Sequence, residues 1–154
     1  MDQPTPQKFI KFRPDPDNPD WMFRPAEPTG GFIDIFGVMR FRRESDRLVR
    51  LRLTAEARHA NVMGLVHGGF AMALIDQVLF IAPAAWGMKG AIGGTTISTS
   101  TQFMAPLNVG ADIDVLVELL RETGRMVFMR GTVEQGEVCG VSFEGTIRKA
   151  SPPR

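Results

Sequence analysis

The chain has 154 residues, of which 44% are hydrophobic and 23% charged, with 18 basic against 17 acidic side chains. That length fits one domain of ordinary size, and the composition excludes gross disorder. A net charge of +1 gives no electrostatic case for a nucleic-acid partner or a polybasic membrane surface. A lone cysteine, Cys139, excludes an internal disulfide framework. The opening MDQPTPQKFIKFRPDPDNPD lacks an apolar core and a cleavage site, so the cytoplasm is the expected compartment.

Seven of the 11 prolines fall in the first 28 residues, at Pro4, Pro6, Pro14, Pro16, Pro19, Pro25 and Pro28. Each fixes φ and removes a donor, so this stretch cannot run as a regular helix or a central strand. Residues 1–30 read as an extended arm, with Phe9, Ile10, Phe12, Trp21, Met22 and Phe23 lying on an apolar surface. The domain proper is expected over residues 31–150, followed by a tail at 151–154. Residues 32–42 (FIDIFGVMRFR) and 47–53 (RLVRLRL) flank the turn-like Glu44-Ser45-Asp46 and read as a β-hairpin.

A connection rich in small and polar residues, 54–69, leads into Phe70–Trp86 (FAMALIDQVLFIAPAAW). This segment is apolar nearly all the way round, and Ala, Met and Leu favour a helix that Pro83 should end or kink. Asp76 near its middle, Pro83 near its end and its modest length argue against a membrane span. A helix apolar on every side must be wrapped by other elements. Four strand candidates follow: Thr95–Met104, Asp112–Leu120, Arg125–Val133 and Val138–Arg148. Hairpin, buried helix and meander together give an α+β layout with an antiparallel sheet.

Asp76 is the sharpest chemical signal, being the one formally charged side chain between His67 and Lys89. A carboxylate held in an apolar site has the character of a general base or nucleophile. The competing reading is a carboxylate that points outward or caps locally. His67-Gly68-Gly69 stands at the helix entrance. Paired glycines there let a carbonyl approach backbone N–H groups closely, and the helix N-terminus favours the oxyanion. A plain turn and a capping or packing histidine are the competing readings. Asp76 follows Gly68 by eight residues, about 12 Å along one helix. Base and oxyanion donor must converge on one reacting centre, so one helix cannot supply both to the same carbonyl. If both act, the site is shared between two antiparallel copies of the helix in a two-fold dimer.

Asn61-x-x-Gly64-x-x-His67-Gly68-Gly69, followed by Leu74-x-Asp76 and by Phe103-Met104-Ala105-Pro106, resembles the hotdog-fold acyl-CoA thioesterases of the phenylacetate-pathway (PaaI-like) type. The resemblance covers roughly residues 33–149 and implies an antiparallel sheet wrapped around one long central helix, in a homodimer or homotetramer. It places Asp76 as general base or nucleophile, the Gly68 amide as thioester-oxygen donor, Asn61 as the residue orienting water or thioester, and His67 as an assistant. Thr96, or else Thr95, falls beside the carboxylate. The implied substrate is an acyl-CoA, hydrolysed to free acid and coenzyme A without metal or redox cofactor. The acyl chain is expected near Met72, Leu79, Phe80 and Trp86, against the open backbone at Gly69. The phosphates of coenzyme A are expected near Lys89, Arg125, Arg148 and Lys149. A dehydratase or hydratase on the same fold, using His67 and Asp76, is the alternative enzyme; a non-catalytic acyl-CoA-binding protein is the alternative outside catalysis.

Overall fold

The computed structural model describes residues 12–151. Phe9, Ile10 and the last three residues of the expected tail lie outside them. One eight-stranded sheet holds β1 (Arg13–Pro14), β2 (Met22–Arg24), β3 (Met39–Arg43), β4 (Leu48–Thr54), β5 (Thr95–Phe103), β6 (Asp112–Glu122), β7 (Met126–Gln135) and β8 (Val138–Arg148). Its order is β1-β2-β3-β4-β6-β7-β8-β5, with every neighbouring pair antiparallel. One helix, α1 (Gly68–Ala85), interrupts the strands between β4 and β5. This is the expected hotdog arrangement.

The alternation in β4 decides which face receives the helix. Val49, Leu51 and Leu53 are buried, whereas Arg50 and Arg52 stand on the other face with half-buried Leu48. Ile113, Val115 and Val117 of β6 and Val127, Met129 and Val133 of β7 continue the buried face. Leu74, Ile75, Val78, Leu79 and Ala82 of α1 join them in one core. Gly145 of β8 makes the fit close, because a Cβ there would stand 2.5 Å from Leu79 Cδ2. Pro83 does not end α1: it sits in the last turn, and its carbonyl accepts the Met88 N–H at 2.9 Å.

Residues 32–36 depart from the expected strand and form a 3₁₀ turn. The cause is local. The Asp34 carboxylate accepts the backbone N–H groups of Thr29 (2.8 Å) and Gly30 (2.9 Å), competing with strand pairing. Gly37, at φ 62°, then redirects the chain into β3.

Within the segment read as an arm, β1 and β2 are short and extend the sheet at the β3 edge. Arg24 is buried and donates to the Gly37 carbonyl (3.1 Å) and to Asp34 (3.1 Å). Trp21 lies under two guanidinium groups, those of Arg42 and Arg52, at 4.9 and 5.3 Å from its ring. Arg52 and Arg50 also converge on Asp114 of β6, at 2.7 and 2.8 Å.

The helix is not wrapped all round. One flank is sealed by the sheet, while Gly69, Met72, Asp76 and Ala84 are exposed, with Ala73, Gln77 and Phe80 half-buried between them. Recurrence every three or four residues makes these one stripe along α1. The helix has the length and apolarity to cross a membrane, yet half of it is buried within this chain.

Two outcomes follow from this packing. Gly145→Ala should destabilise the fold by about 1–3 kcal/mol, the usual cost of overpacking a filled core. In urea unfolding, adding Leu79→Val should recover part of the loss; simple additivity would show that Leu79 is not the obstacle. Burial opposes ionisation of Asp114, but Arg52 and Arg50 overcome it and hold its carboxyl below the usual range. Its stabilising contribution is therefore present above the unfolded carboxylate's range and lost as pH falls through the folded one. Urea midpoints measured down to about pH 3 should fall less steeply in Asp114→Asn than in wild type, because that carboxylate no longer titrates.

Candidate active site

The loop before α1 is built by side chains that fold back on their own backbone. Asn61 Oδ1 accepts the N–H groups of Met63 (2.8 Å) and Leu65 (3.2 Å), tying a tight turn through Gly64 at φ 77°. With the oxygen engaged twice, the amide nitrogen of Asn61 is the part left to meet a ligand, and it can only donate. His67 caps α1, its Nδ1 accepting the Gly69 N–H at 2.9 Å. That bond puts the ring proton on Nε2.

The same cap sorts the two glycines. The Gly69 N–H is consumed, whereas the Gly68 N–H has no hydrogen-bond partner among the described residues. Gly68 lines a cleft of about 400 Å³ with Asn61, Met63, Leu65, Phe103 and Met104. A Cβ at position 68 would touch the Phe103 ring at 3.4 Å. An unpaired donor at a helix N-terminus, opening on an apolar cleft with an amide donor across it, suits a carbonyl that gains negative charge.

Asp76 lies two turns further along α1, on the uncovered stripe. Within the single chain it is exposed rather than enclosed in apolar surroundings. Its Oδ1 accepts from Thr96 Oγ1 at 2.6 Å. Between the two threonines offered by the sequence, Thr96 touches the carboxylate; Thr95 is exposed at the start of β5. The hydroxyl fixes one carboxylate oxygen and leaves the other open.

The remaining expected residues are dispersed. Met72 and Phe80 share the stripe with Asp76, and Leu79 is fully buried against the sheet. Trp86 and Lys89 line a separate cleft of about 930 Å³ at the C-terminal end of α1, with Lys149. The indole Nε1 of Trp86 is buried there without a hydrogen-bond partner among the described residues. Lys149 pairs with Glu122, and Arg125 and Arg148 are exposed. Thus one chain brings Asn61, His67, Gly68 and Gly69 together, and Asp76 with Thr96, but does not join the two groups. Met63, Leu65 and Leu107 also line the Gly68 cleft. Nothing in their spacing marks them, because a cleft between two loops has no sequence period.

Residues 63–139 match the thioesterase superfamily. No curated protein matches the chain in sequence. Among solved structures, zebrafish thioesterase superfamily member 2 aligns over 81% of this chain and 91% of its own, with a TM-score of 0.70 at 16% identity. A variant of the phenylacetic acid degradation protein PaaI from Thermus thermophilus aligns over 77% and 98%, with a TM-score of 0.62 at 22% identity. A hypothetical thioesterase from Streptococcus pneumoniae, solved with coenzyme A, aligns over 75% and 91%, with a TM-score of 0.65 at 15% identity. The chain belongs to the thioesterase superfamily, on the hotdog fold that it shares with the PaaI proteins.

Proposed function

We propose that this protein is an acyl-CoA thioesterase whose site is completed by a second copy of the chain. The observation that carries the reading is the open Gly68 N–H at one end of α1, with the Asp76–Thr96 pair standing apart on an uncovered stripe of the same helix. The eight-residue interval places these groups about 12 Å apart, too far to serve one carbonyl within a chain. Two antiparallel helices meeting along their stripes would bring Asp76 of one copy to Gly68 of the other, twice by symmetry. Exposed β5 at the sheet edge, beside β8, is open for the same association.

In this reading the thioester carbonyl oxygen accepts the Gly68 N–H, with the Asn61 amide as a second donor. Asp76 of the neighbouring copy, steadied by Thr96, takes a proton from a water molecule. The water oxygen bonds to the carbonyl carbon, and the oxyanion forms where the helix N-terminus favours it. The carbon–sulfur bond then breaks, and the coenzyme A thiolate leaves and takes up a proton, returning Asp76 to its ionised form. Met72 and Phe80 would border the acyl group from the stripe. Lys89, in the Trp86 cleft, and Arg125 would meet the phosphates.

Thiol release from a panel of acyl-CoA thioesters tests this directly. Asp76→Asn should lower kcat by about 10²–10⁴-fold, the usual worth of a general base, with fold and association intact. Undiminished release would remove Asp76 from the chemistry, and hydration of an enoyl-CoA without thiol release would identify a hydratase instead. Asn61→Asp keeps the loop acceptor and removes the donor, so it gives a second inactive chain. Mixing it with Asp76→Asn on demonstrated subunit exchange should restore about a quarter of wild-type activity, since half the dimers are mixed and each has one intact site. No recovery would place both groups in one chain's site.

A further inference from the structure

We propose that His59 is the positioning residue of the oxyanion donor, setting where the Gly68 N–H stands; for its catalytic consequence this rests on the thioesterase reading. Two consecutive glycines begin α1, so its first two residues carry no side chain of their own to anchor them. Something flanking them must hold the donor, because a displacement near 1 Å at such a group costs about a hundredfold in rate. His59 grips both flanks. Its carbonyl accepts the His67 N–H at 2.8 Å, immediately before Gly68. Its ring stacks on Phe70, immediately after Gly69, at 3.9 Å between centroids and 10° between planes.

The ring is itself fixed in its plane. Nδ1 accepts the Glu56 N–H at 2.9 Å, and Nε2–H donates to the Ile35 carbonyl at 2.7 Å. Both nitrogens are used and the residue is 2% exposed, so solvent takes no part in holding it. A phenyl ring would fill the same space and stack on the same partner, but it would be free to slide, since neither edge could be tied. Phe36 also packs near Phe70, tilted by 43° at 5.8 Å between centroids. The 3₁₀ turn that carries Ile35 is pinned in turn by Arg24 through Asp34 and the Gly37 carbonyl. Asn61, the amide donor of the same cleft, follows His59 by two residues.

His59→Phe isolates the role, keeping the ring and removing both edge bonds. Thiol release by this variant should show kcat lowered about tenfold to a hundredfold with KM within about twofold, because the donor matters most once the oxyanion forms. Hydrogen exchange supplies a readout independent of activity. The His67 and Ala71 amides should exchange about tenfold faster in the variant, with those of β6, β7 and β8 unchanged. A kcat equal to wild type in the folded variant, or a uniform rise in exchange across helix and sheet, would reduce His59 to a packing residue. If His59→Phe does not fold, Phe70→Leu removes the stacking partner instead and should give the same kcat loss; unchanged kcat there would overturn the proposal. Should the wild-type protein release no thiol at all, the thioesterase reading fails, and the exchange pattern alone decides whether His59 positions the first turn of α1.

Discussion

The close seating of α1 against the sheet fixes where Gly68 and Asp76 stand. Gly145 allows it: with no Cβ there, the Leu79 side chain lies against the backbone of β8. Interiors are packed densely enough that such a contact sets the depth and rotation of a helix rather than following from them. Once Leu74, Ile75, Val78 and Leu79 are committed to the core, the helical period leaves Met72, Asp76 and Phe80 on the opposite flank. The apolar character of that flank, and the carboxylate on it, follow from the same rotation.

At its N-terminus the same helix meets a different constraint, the orphan N–H groups of its first turn. Three local solutions operate within a dozen residues. Asn61 closes the preceding turn, His67 caps Gly69, and His59 holds Phe70 and the His67 amide. Together they satisfy the loop and, among the described residues, leave the Phe70 N–H and, beside the cleft, the Gly68 N–H without a partner. A helix end with all its donors paired would be better satisfied and chemically inert. The free donor is a consequence of a cap that reaches N2 and not N1.

The sheet's outer face is organised by charge and not by apolar packing. Asp114 draws Arg50 and Arg52 across from β4, while Arg52 and Arg42 together bracket Trp21 of the arm. These contacts, with Arg24 buried against Asp34 and Gly37, attach β1 and β2 to the β3 edge. That edge is thereby covered, whereas β5 at the opposite edge is long and exposed. Among the described residues the asymmetry leaves β5 as the open edge, on the side of Asp76 and Thr96.

Much of this was legible in residue order. Periodicity and turn residues located β4, α1 and the four strands after it, because their patterns are local and strong: β8 runs over the expected residues, and the others differ at their ends by a few. Asp76 and Gly68 stood out by type and spacing and Asn61 through the motif's resemblance, and the interval between Asp76 and Gly68 requires two helices if both act on one carbonyl. The 3₁₀ turn at residues 32–36 did not, since FIDIF reads as strand until the Asp34 carboxylate captures Thr29 and Gly30. Nor did the bare stripe on α1, because an all-apolar helix carries no mark of which side the sheet will take. The roles of Thr96 beside Asp76 and of His59 beneath Phe70 join residues 20 and 11 positions apart through space. Such pairings depend on the twist of the sheet and the rotation of the helix within it, which no short-range pattern encodes. Sequence determined the elements and the chemistry they carry; packing of those elements decided which groups meet within the chain and which stand apart.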